Sequence, residues 1–98
     1  PPFSHLIRVV CSAEDAERAR AAALGVRDRL RSESDGAAGR SVLGPAALFR
    51  LRGREREALV VKADERRPAV RAVGGAVQRA AEESRHQGVH FSVDVDPQ

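Results

Sequence analysis

Arginine occupies every second position in the run Phe49-Arg-Leu-Arg-Gly-Arg-Glu-Arg56. Alternate residues of an extended strand share a face, so Arg50, Arg52, Arg54 and Arg56 form a cationic ribbon. Gly53 is placed to fold that ribbon back on itself. Phe49 and Leu51 alternate with Arg50 and Arg52, giving one apolar and one cationic face. The run therefore reads as a hairpin with a protruding basic tip. Whether Arg50 pairs with Glu55 across it depends on the register.

The charge is local. Residues 1–39 hold six Arg and six acids, net zero; residues 40–67 hold eight Arg or Lys against four acids, net +4. Residues 68–98 hold three against four, net −1, so the +3 of the chain belongs to its middle. A concentrated positive field points to a polyanionic partner. The competing explanation is compositional: 16 of the 17 basic residues are Arg, Lys62 being the exception. On that view the ribbon is merely a solvated hairpin.

Ninety-eight residues make one domain, 1–98, able to bury a single modest core. With 42% hydrophobic and 32% charged residues, the chain falls in the globular range, not the disordered one. No apolar run approaches the roughly 18–20 residues of a membrane span, so no membrane partner is expected. The opening Pro1-Pro-Phe3 has neither the basic start nor the apolar stretch of a signal peptide. Opening on Pro, the chain is expected to be cut from a longer protein, with a cytoplasmic location. Cys11, alone, excludes an internal disulfide and a cysteine-cluster zinc site, and reads as a small buried hydrophobe.

The order of elements follows from local pattern. His5-Leu-Ile-Arg-Val-Val-Cys11 is a first strand. Ser12 with Asp15 resembles a capping box opening a helix, along which Ala16, Ala19, Ala23, Val26 and Leu30 form an apolar stripe. Glu17, Arg20, Arg27 and Arg31 lie opposite. Ser32 to Gly39 is a loop. Ser41-Val-Leu-Gly-Pro45 is a short second strand stopped by Gly44 and Pro45, and Ala58-Leu-Val-Val-Lys62 is the third. Asp64-Glu-Arg-Arg-Pro68 opens a second helix, with Val70, Val73, Val77 and Ala80 inward. Gly74 and Gly75 cost roughly 1 kcal/mol each there, offset by close approach to the sheet or by a bend. Gly88 is its left-handed cap. In the last strand Val89, Phe91, Val93 and Val95 face inward; His90, Ser92, Asp94 and Asp96 face outward. The plan is α+β, ferredoxin-like βαββαβ, an antiparallel sheet with two helices on one face.

That plan decides no function, but several chemistries drop out. No G-x-x-x-x-G-K-[ST] phosphate loop is present; Gly36-Ala-Ala-Gly39 lacks the following Lys. His5, His86 and His90 have no metal-ligand spacing, so no metal site or cofactor is expected. His90, Ser92 and Asp94 cannot form a triad, because same-face neighbours on one strand lie about 6.5–7 Å apart. The chain alone is expected not to be an enzyme, with no catalytic residues. RNA-recognition domains share the topology and stack bases on strand aromatics. The central strands here offer only Ile7, Val9, Leu59 and Val61, so binding is expected through Arg contacts to phosphate.

Several strings in order carry a family resemblance: Pro1-Pro-Phe-Ser-His-Leu6, Val42-Leu-Gly-Pro-Ala46, Arg50-Leu-Arg-Gly-Arg54, Leu59-Val-Val-Lys-Ala63 and Val93-Asp-Val-Asp-Pro-Gln98. Together they resemble the C-terminal domain of the PriA family, the bacterial primosomal protein N-prime, across essentially the whole chain. The resemblance implies a NusE-like fold, in agreement with the βαββαβ plan. It implies a parent replication-restart DNA helicase of 3′→5′ polarity, whose ATP, Mg and zinc sites lie in other domains. DNA, forked and single-stranded, single-strand-binding protein, other primosome proteins and the remaining helicase domains are the implied partners, at the nucleoid. Arg50, Arg52 and Arg54 match the family string and Lys62 a basic position; with Arg56 they are the expected nucleic-acid-binding residues. Relatives often carry aromatics where Glu55 and Glu57 stand, which removes stacking rings and adds negative charge to the ribbon. Asp94, Asp96 and Pro97 also match, and are expected to form an exit strand and turn packed on the rest of the helicase. Two functions follow: a DNA-gripping module, or a module that docks the acidic tail of single-strand-binding protein.

Overall fold

Ile7 faces Val61 and Val9 faces Leu59 across an antiparallel ladder, and all four side chains are fully buried. Around this pair of strands the computed structural model describes residues 5–33 and 39–96. The elements run β1 (His5–Ala13), α1 (Ala16–Glu33), β2 (Arg40–Leu51), β3 (Arg54–Ala63), α2 (Arg66–Ala81), a 3₁₀ turn (Ser84–His86) and β4 (His90–Val95). The sheet order is β2-β3-β1-β4, every pair antiparallel. This is the ferredoxin-like βαββαβ plan.

The helices bury short side chains: Ala19, Ala22, Ala23, Val26 and Leu30 from α1, and Ala69, Val73, Ala76 and Ala80 from α2. Such small residues let the helix backbones lie close to the sheet, and each buried Val or Leu contributes about 1.5–3 kcal/mol. Buried Cys11 behaves as a small hydrophobe, its thiol pushed up to about 12 by burial and by the neighbouring Glu57 charge. His86 closes the far end of α2. Its Nδ1 donates to the Ala80 carbonyl at 2.9 Å, and its ring lies edge-on to Phe91.

Several sequence expectations need correction. Asp15, not Ser12, caps α1: its Oδ1 accepts the Arg18 amide at 2.8 Å, while Ser12 remains in β1. Ala16 is consequently exposed and Ala22 takes its place in the stripe. The helix runs through Ser32 to Glu33, into the expected loop, whose residues 34–38 lie outside the described residues. On α2, Val73 and Ala80 are buried as expected, but Ala69 and Ala76 complete the buried stripe, with Val70 and Val77 packed at its edge. A side chain at Gly74 would meet open space, and one at Gly75 only the Arg79 guanidinium, so neither Gly serves close approach to the sheet. The helix ends at Ala81, and Gly88 follows the 3₁₀ turn instead of capping α2. Val93 is exposed because β4 is an edge strand. Pro1–Ser4, Pro97 and Gln98, which carry parts of the family strings, lie outside the described residues.

The central-strand positions considered for base stacking belong to the buried face of the sheet. Ile7, Val9, Leu59 and Val61 lie under the helices; the open face of the central strands presents Arg8, Val10, Ser12, Arg56, Ala58, Val60 and Lys62. No aromatic stands among these central-strand positions.

Candidate nucleic-acid interface

The hairpin owes its shape to β2. Between Leu43 and Ala46 this strand places Gly44 and Pro45 opposite Leu59 alone, and between Leu48 and Leu51 it places Phe49 and Arg50 opposite Glu55 alone. Both are β-bulges, two residues against one. A Cβ on Gly44 would sit 2.7 Å from the Ala58 carbonyl oxygen, so only Gly fits, and the Gly44–Pro45 bond is cis. The strand therefore passes through Gly44 and Pro45, where a stop was expected: a bulge absorbs the missing amide of Pro45.

The turn is Arg52-Gly53, flanked by the Leu51–Arg54 pair. Both turn residues have positive φ, 53° and 76°, as a two-residue type I′ hairpin requires. For Gly53 this is free, whereas for an L-residue such as Arg52 it costs roughly 1–2 kcal/mol.

The four alternating arginines fall into separate environments. Arg54 is half-buried at the hairpin root, where its Nε donates to Ser12 Oγ at 2.7 Å. Its Nη2 donates to the carbonyls of Ser12 at 2.8 Å and Gly88 at 3.0 Å. Arg56 Nε donates to the Phe49 carbonyl at 3.0 Å, which pins the second bulge. Arg50 crosses the turn: its Nε lies 3.4 Å from Glu55 Oε2, and its Nη2 donates to the Gly53 carbonyl at 3.3 Å. Arg52 is exposed and has no hydrogen bond or ion pair among the described residues. Lys62 lies on the open face near the far end of β3, six residues and about 20 Å from Arg56. The structure thus groups Arg50, Arg52 and Arg56 at one end and leaves Lys62 at the other.

The two acids within the basic run leave the ribbon. Glu57 pairs with Cys11 on the helix face, is only 6% exposed, and lies 3.6 Å from Arg20 Nη1 of α1. Glu55 is held by Arg50. Neither carboxylate forms an ion pair with Arg52, whose charge is therefore left uncompensated by them at the turn.

Phe49 was missed as a surface residue by sequence reasoning. Phe49 lies within the bulge and is 92% exposed, and Leu51 is 52% exposed, so the apolar residues of this segment are not covered by the core. The Gly44-Pro45 pair was the available signal, since Pro inside a strand marks a bulge as readily as an end. No comparable signal marks the second bulge.

Among the described residues no group of three His, Cys, Asp or Glu side chains is placed to hold a metal ion, and no helix is long and apolar enough to cross a membrane. His90 and Ser92 point to solvent, and Asp94 lies 4.0 Å from Arg8.

The family described as the primosomal protein N C-terminal domain matches residues 1–98, the whole chain. The chain belongs to that family. Membership ties this primosomal C-terminal domain to the replication-restart assembly. No curated protein matches it in sequence. Among solved structures it is similar to the de novo designed protein Foldit4, with a TM-score of 0.73 and 10% identity over 98% of this chain and 99% of that one. A second design, LFR1 1 with ferredoxin fold, gives a TM-score of 0.66 and 20% identity over 99% of this chain and 88% of that one. A hydantoinase/carbamoylase family amidase from Burkholderia ambifaria gives 0.62 and 16% identity over 95% of this chain and 27% of the amidase. At these identities the likenesses show the fold alone. Idealised designs share it, so function has to be sought in what decorates the sheet.

Proposed function

We propose that this domain is the DNA-gripping and interaction module of a replication-restart 3′→5′ DNA helicase. It takes forked or single-stranded DNA on the β2–β3 hairpin. The observation that carries this reading is Arg52: a charged residue in left-handed backbone geometry, without a partner among the described residues, at the summit of the one segment with net +4 charge. Folding alone gains nothing from an arginine there, and Asn would suit the turn better. Strain at an exposed charged position points to a ligand that uses the charge.

In this reading Arg50 and Arg52 contact phosphates, Arg56 and Lys62 extend the cationic track across the open face, and Arg54 holds the hairpin in place. The domain supplies grip and partner contacts; ATP hydrolysis and the zinc site belong to other parts of the parent helicase, working at the nucleoid in the cytoplasm. The same guanidinium groups suit the carboxylates of an acidic tail, such as that of single-strand-binding protein.

Fluorescence anisotropy with labelled forked and single-stranded DNA across a salt series tests the reading. Binding that weakens by roughly 0.7–0.9 log units per log salt for each phosphate neutralised supports it. Absence of binding by the folded domain at low salt overturns it. Retention of an acidic peptide under those same conditions then moves the assignment to protein docking.

A further inference from the structure

Phe49 is a large apolar ring that the fold holds in water. Its own carbonyl is clamped by Arg56 Nε at 3.0 Å, and the bulge that contains it is tied to the turn through Arg50, which bonds Gly53 and faces Glu55. The ring's backbone is therefore fixed while its faces stay open. Leu51, two residues on, is also exposed, and a shallow hollow of about 390 Å³ lies against Ala47, Leu48 and Phe49. Arg50 follows directly in sequence and Arg52 two residues beyond. Isolated exposed hydrophobes need no explanation, but an open ring on a pinned backbone, in the same bulge as Arg50 and bonded through its carbonyl to Arg56, has a specific chemistry. It matches the pairing of aromatic platform and cationic track that holds single strands, with base faces on the ring and phosphates on the arginines.

We propose that Phe49 is a stacking platform for an unpaired base, so that the hairpin tip takes single-stranded in preference to fully paired DNA. This rests on the nucleic-acid reading above and adds to it a residue, a contact type and a strand preference. In a duplex the base faces are already stacked on one another, and the ring has nothing to cover. A single strand, or the unpaired arm of a fork, offers them.

The test uses the 98-residue chain, an oligothymidine strand, a blunt duplex of equal length, and a strand carrying 2-aminopurine. Phe49→Ala is compared with wild type and with Phe49→Tyr, which keeps a ring. Because the side chain is 92% exposed, thermal unfolding of Phe49→Ala should match wild type. Its affinity for the single strand should fall about 5- to 150-fold, the range seen when one stacked base loses its platform. Duplex affinity should change less than about twofold, since phosphate contacts carry it. Quenching of 2-aminopurine should vanish in Phe49→Ala and persist in Phe49→Tyr. Unchanged single-strand affinity, or an equal loss on both forms of DNA, overturns the stacking proposal while leaving the phosphate-gripping reading intact. Failure of wild type to bind either DNA at low salt overturns both together.

Discussion

Arg54 at the root of the β2–β3 hairpin and Arg52 at its tip stand two residues apart in the same alternating run. The first is half-buried and donates three hydrogen bonds, joining β3 to Ser12 of β1 and to Gly88 before β4. The second is exposed, has no partner among the described residues and sits in a backbone region that disfavours it. Their sequence contexts, Arg-Gly-Arg, are nearly symmetric. What separates them is the chain that lies across from each. β1 accompanies β3 as far as the Ala13–Glu55 pair, so Arg54 still finds β1 carbonyls within reach and Arg52 does not. A cationic ribbon is thus two devices, a structural anchor and a free charge, divided where the neighbouring strand ends.

Substitutions can break or sharpen this division. Arg54→Ala should have the largest effect, a loss of about 2 kcal/mol in urea unfolding, because charged-group hydrogen bonds contribute roughly 1.5–3 kcal/mol each and this site is partly solvated. A stable Arg54→Ala would erase the distinction between root and tip. Arg52→Asn should move stability the other way, by about 1 kcal/mol, since Asn-Gly suits a type I′ turn and tolerates positive φ. The same substitution should weaken binding of polyanions. Stabilisation with unchanged binding would remove Arg52 from the interface.

Away from the hairpin, Gly74→Ala should stabilise α2 by about 1 kcal/mol, because the added methyl enters open space. Destabilisation in thermal unfolding would show a close approach that the structure lacks. The smallest effect concerns Glu83, whose carboxyl is held below its ordinary range by the Arg85 hydrogen bond and by Arg29 of α1. A lowered folded pKa makes its contribution fully present above the unfolded value of about 4.3 and lost as pH falls through the folded value. Glu83→Gln should therefore be less stable than wild type at neutral pH, with the gap closing on acidification. A gap that widens in acid would contradict the assignment.

Much of the fold was legible because period and burial agree in the two central strands and the helices: Ile7, Val9, Leu59, Val61, Val26 and Val73 all fall where apolar spacing places them. The edge strands were harder. β2 contains two bulges, each of which shifts the alternation by one residue, so a strict period-two reading cannot be carried along it, and Phe49 and Leu51, read as one apolar face, are both exposed. Likewise the Gly74-Gly75 pair invited a packing explanation that only neighbouring coordinates could refuse. At the site, the concentration of charge in residues 40–67 was visible in the sequence, but the distribution of work among its arginines was not. That distribution depends on Ser12, Gly88, Phe49 and Glu55, partners that a one-dimensional pattern does not place.

The most direct measurement is the salt dependence of single-strand binding for wild type and for an Arg50→Ala/Arg52→Ala variant, with thermal unfolding of both recorded in the same buffer. If the tip grips two phosphates, the slope of log affinity against log salt should fall by about 1.4, roughly 0.7 for each, while the unfolding temperature stays close to wild type. An unchanged slope in a folded variant would contradict the account, because the free charge at the tip would then have no polyanion to hold.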